Sequence, residues 1–196
     1  MEDSNTTRIE VSSDATVRLR LASEWLENFS PHREVVIVAH SVEAANDFLM
    51  QIAGARRASF GIRRFTLNSL AARLAQPVLA KSGAASATGL SFVAVVARAI
   101  HSLHLDGKLT YFAPVAKRPG FPVAVSRTVG ELRMNEVDVE SLVSMARGGK
   151  DLAKIARAVQ IELERSQIAD RAAIFRAAIN AVRGESIDSA CDEDRS

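Results

Sequence analysis

The run Glu34 to His40, EVVIVAH, leaves this chain few options for its core, being continuous, apolar, of strand length and rich in β-branched residues. A strand with no polar face is covered on both sides, as strands are in parallel sheets flanked by helices. The neighbouring signals agree. Arg8 to Val11 reads as a short strand, and Ala15 to Phe29 as a helix with Val17, Leu21, Trp25, Leu26 and Phe29 on one side. Ser41 offers an N-cap for a helix over Val42 to Ala53, and Gly54 supplies its stop. A strand over Gly61 to Phe65 follows, then Thr66 as the cap of a helix over Leu67 to Ala75. Three strands alternating with helices predict a parallel sheet with crossover connections.

Beyond residue 76 the pattern is helical. A small-residue loop, Pro77 to Thr88, precedes a helix from about Leu90 to Leu105 that places Phe92, Val95, Val96, Ala99, Ile100 and Leu103 inward. The stretch Tyr111 to Arg133, YFAPVAKRPGFPVAVSRTVGELR, begins without helical or strand period yet holds three of the five prolines. A fixed loop running straight into a helix is a positioned surface and not a spacer. Pro122 suits the first turn of a helix that reaches about Asn135. Asp138 caps a short helix ending at Gly148 and Gly149, Leu152 to Ser166 forms another, and Asp170 caps a last one ending near Arg183. The expected fold is α/β, with a parallel sheet of about three strands in residues 1–75. Residues 76–185 form a helical insertion or extension, and 186–196 a disordered acidic tail.

Composition narrows the class. A chain of 196 residues is long enough to bury roughly 70% of its unfolded surface, so it has room for a real core. No uncharged apolar run approaches the roughly 18 residues that span a bilayer, and the acidic, polar N-terminus does not resemble a secretion signal. A cytoplasmic protein with no membrane partner is expected. The single Cys191 excludes an internal disulfide. The net charge of +2 understates how basic the body is, because Glu185, Asp188, Asp192, Glu193 and Asp194 crowd into the tail. Arg56, Arg57, Arg63 and Arg64 bracket one short segment, and Lys117 and Arg118 lie in the proline stretch. Such clusters serve either as phosphate contacts or as a solvated surface.

Catalytic constellations are weak. A phosphate-binding turn needs glycines for close backbone approach and a lysine for the terminal phosphates. After the first expected strand stand instead Ser12, Ser13, Asp14, Ala15 and Thr16, where Asp14 opposes a bound phosphate. The same residues are those of a simple helix cap. His101, His104 and Asp106 lack a fourth ligand and read as a surface group, so no metal site is expected. No G-x-S-x-G turn accompanies any serine, and Cys191 has no nucleophile context. Glu162 and Glu164, with Lys154, Arg157 and Arg165 nearby, fit a solvated charged face.

Three segments in order carry a resemblance. The second strand ends in VVIVAHSVEAANDF, with Ala39, His40 and Ser41 in a polar turn and the small pair Ala44 and Ala45 opening a helix. The third is followed by FTLNSLAARLA, a Thr-led helix with a Ser-Leu-Ala core at Ser69, Leu70 and Ala71. The FAPVAKRPGF loop and the GELR helix come next. From about Arg8 to Arg183 the chain resembles the N-terminal helicase-like region of AddB-type helicase–nuclease subunits, whose fold is related to that of UvrD-type helicases. The resemblance implies a P-loop, helicase-like sheet whose nucleotide-binding turn has degenerated. It further implies a role in processing broken DNA ends beside an active helicase–nuclease partner subunit.

Neither a Walker B strand nor a metal-dependent nuclease core is found, so a fragment of a longer subunit or a reduced standalone relative is expected, without catalysis or cofactor. In active relatives the turn after the second strand lies along single-stranded DNA. That implication, together with the arginines and hydroxyls, nominates Ser41, Arg63, Arg64, Thr66, Asn68, Lys117 and Arg118 as DNA contacts. Capping alone also accounts for Ser41 and Thr66. Tyr111, Phe112 and Phe121 are candidate stacking platforms, with Phe112 and Phe121 better suited to anchor the proline loop to the core. The alternative is a regulatory or protein-interaction α/β domain that shares only the architecture.

Overall fold

The computed structural model describes residues 7–30, 33–53, 61–145 and 147–184. Gly54, Arg56, Arg57, Cys191 and the tail expected from 186 onward lie outside the described residues. The protein is mixed α/β and mostly helical. It divides into two compact units, Met1–Leu70 and Ala71–Ser196, and the division falls inside one helix, slightly before the boundary expected at residue 75.

In the first unit, α1 (Ala15–Glu27) is followed by β1 (Val35–Ala39), α2 (Val42–Ala53) and β2 (Ile62–Thr66). The two strands pair in parallel, from Val35 opposite Ile62 to Ala39 opposite Thr66, and α2 packs on both. Two expectations need correction. Arg8 to Val11 forms no strand, and Ile9 and Val11 project into solvent, so among the described residues the sheet has two strands and not the expected three. Alternating apolar residues fit a pleat but form a strand only where an edge accepts their hydrogen bonds. Nor is β1 covered on both faces: Val36 and Val38 are 51% and 45% exposed, while the alternate residues lie partly buried.

The second unit holds the main core. Helices α4 (Gly89–Leu105), α5 (Gly120–Met134) and α6 (Gly149–Arg165) meet through Val95, Val96, Ile100, Val125, Val129, Ile155 and Val159. Each such fully buried side chain contributes about 1.5–3 kcal/mol. The inward set expected for α4 is buried as read, with Phe92 partly so. The helix entering this unit, α3 (Leu67–Ser82), runs through Pro77 where a loop was expected. Proline removes one backbone donor, but Ala71, Leu74, Ala75 and Leu79 on both sides of it pack with Ala178 of α7 (Arg171–Arg183), which offsets the loss.

Two short strands, β3 (Ala85–Ser86) and β4 (Ile168–Ala169), pair in parallel and tie the connection before α4 to the one after α6. Asp170 caps α7 through the Ala173 N–H at 3.0 Å. Its buried carboxylate also receives the Arg133 guanidinium in a two-pronged pair at 2.6 and 3.2 Å, which locks α5 to α7.

The glycine pair opens a helix and does not end one. The short 3-10 helix capped by Asp138 ends at Ser144, and Gly148 stands at the N-cap of α6 with φ near +86°. A Cβ on Gly148 would lie 2.7 Å from the Tyr111 ring, and one on Gly149 would lie 2.2 Å from the Leu142 carbonyl oxygen. Both glycines are required by close approach of other groups.

Asp151, in the first turn of α6, fixes the proline stretch. Its carboxylate is 1% exposed and accepts the Thr110 N–H at 2.8 Å, the Thr110 hydroxyl at 3.1 Å and the Phe112 N–H at 3.0 Å. Burial alone would raise its pKa, but the hydrogen bonds from Phe112 and Thr110, with Lys154 nearby, outweigh that and hold it below the usual carboxylate range. The folded state therefore gains stability from this group above the unfolded carboxylate pKa and loses it as pH falls through the lower folded value. Asp151→Asn is expected to cost about 2 kcal/mol in urea unfolding at neutral pH, with a smaller difference from wild type in strong acid. Equal midpoints at neutral pH would show that the carboxylate does not hold this segment.

Candidate nucleic-acid interface

Ser41 and Thr66 follow or end paired strands at the same edge of the sheet, because Ala39 lies opposite Thr66. Carboxyl ends of parallel strands are where α/β sheets bind ligands. Both residues cap helices here. The Ser41 hydroxyl accepts the Ala44 N–H at 3.1 Å. The Thr66 hydroxyl accepts the Ser69 N–H at 3.1 Å, and the Ser69 hydroxyl accepts the Thr66 N–H at 2.9 Å, a reciprocal capping box. Glu43 adds a carboxylate to the first turn of α2, held below its usual pKa by its own backbone N–H, then by the Ser41 hydroxyl. Asn68 is exposed at the start of α3 beside this edge.

Arg63 and Arg64 are successive strand residues and so point to opposite faces of the sheet. Arg63 donates to Glu34 at 2.9 Å, and Arg64 to the Asn46 amide oxygen at 2.7 Å. The structure thus brings Ser41, Thr66 and Asn68 together at one edge and separates the two arginines. The turn at Ser12 to Thr16 is a cap: Asp14 accepts the Thr16 N–H at 2.8 Å, in the place a phosphate oxygen would need. Among the described residues no strand precedes it, so there that turn lacks the strand–turn–helix frame of a phosphate-binding loop.

Lys117 and Arg118 lie in the second unit, on a segment built of successive tight turns. The Val115 N–H meets the Phe112 carbonyl at 3.0 Å, Arg118 meets Val115 at 2.9 Å, and Phe121 meets Arg118 at 3.0 Å. The Phe121 ring returns to within 5.2 Å of the Phe112 ring, and both rings pack on the core. The two phenylalanines are anchors, the role their sequence context favours. Tyr111 stays 55% exposed beside them. Both cations are exposed, and among the described residues neither makes an ion pair. No carboxylate occurs between Asp106 and Glu131 or between Glu140 and Asp151, so the exposed charges of these two stretches are all positive. Asp151, which holds this segment, escaped the sequence reading because its partners lie about forty residues away; the only local signal was an acid in a helix first turn.

Other clusters are plain. Among the described residues no group of three His, Cys, Asp or Glu side chains is placed to hold a metal, and no helix is long and apolar enough to cross a membrane. Glu162 departs from the solvated face expected of it, being largely covered and paired with Arg98 at 2.9 Å. Thr66→Val is expected to remove the capping box of α3 and lower stability by about 1 kcal/mol in urea unfolding. An unchanged midpoint would free the Thr66 hydroxyl from a capping role.

No family model, curated protein or solved structure matches this chain.

Proposed function

We propose that this chain is a noncatalytic, helicase-like module of a cytoplasmic system that processes DNA double-strand breaks for recombination and repair. In this reading it guides DNA or docks on a helicase–nuclease partner subunit, and it neither hydrolyses nucleotide nor cuts DNA. The observation that carries the reading is the proline segment: a surface fixed by a buried carboxylate, presenting Lys117 and Arg118 without competing acids. Cations held this way neutralise phosphates at little entropic cost, because the backbone beneath them is already ordered. The capped edge at Ser41, Thr66 and Asn68 offers a second, polar contact line, and Asp14 in the first turn argues against nucleotide.

One observation favours the protein-docking reading. The face of β1 that bears Val36 and Val38 is left open, and apolar strand residues in water are characteristic of surfaces that meet other chains.

Titration of a labelled forked DNA followed by fluorescence anisotropy separates the two. The DNA reading expects binding that weakens steeply with salt, needs no ATP, and loses about two units of salt slope in Lys117→Glu with Arg118→Glu. Absence of binding at low salt would transfer the function to protein docking.

A further inference from the structure

We infer that the surface around Tyr111 is a binding site for single-stranded nucleic acid, in which Tyr111 stacks on a base and Lys117, Arg118, Arg147 and Lys150 hold the flanking phosphates. The inference deepens the DNA-guiding reading and rests on it, but it names a different strand form and adds three residues.

The placement of these groups follows from contacts already described. The Tyr111 ring lies against Gly148, and it meets the Phe112 ring edge-on with centroids 5.1 Å apart and planes at 77°. Arg147 and Lys150 flank the Gly148–Gly149 pair in sequence, so both exposed cations lie within two residues of the glycine that the ring touches. Following the ring, the turns from Phe112 to Phe121 close on themselves through the two phenylalanine rings and carry Lys117 and Arg118. All four cations are exposed, and among the described residues none has an ion-pair partner. By contrast, Lys108 pairs with Asp106, Arg157 with Glu140 and Arg176 with Glu136.

An exposed aromatic ring among unpaired cations suits an unstacked base with its phosphates. A duplex hides the faces of its bases, so it would use the cations and leave the ring idle. An acidic peptide would do the same. The ring is held from behind: Asp151 fixes the backbone on both sides of Tyr111, and Gly148 leaves it room. A platform already in place loses little freedom when a base arrives.

The test uses the full chain with a labelled oligothymidylate of about 16 nucleotides and a labelled hairpin duplex, at several salt concentrations. Tighter binding of the single strand is expected. Tyr111→Leu should weaken it about tenfold with little change for the duplex, and Tyr111→Trp should restore it. Arg147→Glu with Lys150→Glu should lower the salt slope for the single strand by about one to two units. Far-UV circular dichroism checks that each variant is folded, and the surface double variant remains a test if Tyr111→Leu is not. If binding is lost in Lys117→Glu with Arg118→Glu but is indifferent to Tyr111, Arg147 and Lys150, this inference is overturned and the DNA reading stands. Equal affinity for the duplex, or equal competition by polyglutamate at matched charge, overturns it as well. If wild type binds neither DNA at low salt, both readings fall together.

Discussion

A carboxylate taken out of water is tolerated only where donors surround it, and in the second unit Asp151 meets that condition with two backbone amides and a hydroxyl from Thr110 and Phe112. The arrangement acts in two directions. It neutralises the cost of burying the charge, and it ties the end of the α4 connection to the first turn of α6. Everything between Thr110 and the start of α5 inherits its position from that tie. The Phe112 and Phe121 rings close the segment onto the core, and the successive turns between them leave Lys117 and Arg118 no route into it. A stretch with Pro114 and Pro119 and no repeating ladder thereby becomes an ordered surface.

The first unit is built differently. Its sheet has two strands, one open face and helix caps drawn from residues close in sequence. Two parallel strands with exposed valines are a weak core by themselves. What this unit offers functionally is its carboxyl edge, where Ser41 and Thr66 already serve the backbone and Glu43 balances the start of α2. The cations read in its sequence do not converge there, since Arg63 and Arg64 are held on opposite faces by Glu34 and Asn46. The positive field that supports a role with nucleic acid comes instead from the second unit.

Local chemistry was legible in the sequence, and chemistry that depends on distant partners was not. The caps at Ser41, Thr66, Asp138 and Asp170 were readable because a cap involves residues within one turn. The inward face of α4 was readable from its period. Residues Arg8 to Val11 were read as a strand because alternation was present, but no edge took them. The small residues from Pro77 onward suggest a loop, because the packing of Ala71, Ala75 and Leu79 that carries α3 through Pro77 is not visible in the sequence. The glycine pair was read as a stop, although Tyr111 and the Leu142 carbonyl are what exclude larger side chains there. Of the candidate site, Lys117 and Arg118 were visible as charge in a proline stretch; Arg147 and Lys150 joined them only once Tyr111 was placed against Gly148.

The proposed function rests on the exposed Tyr111 ring of the second unit, held by Asp151 and Gly148 on segments that also carry Lys117, Arg118, Arg147 and Lys150, while the turn at Asp14 is a helix cap. The most direct measurement is hydrogen–deuterium exchange of the full chain with and without a single-stranded oligonucleotide at low salt. Slower exchange is expected over residues 108–121 and 147–150 on binding, with the amides of β1 and β2 unchanged. Slowing confined to the first unit, or none anywhere at saturating oligonucleotide, would contradict the proposed function.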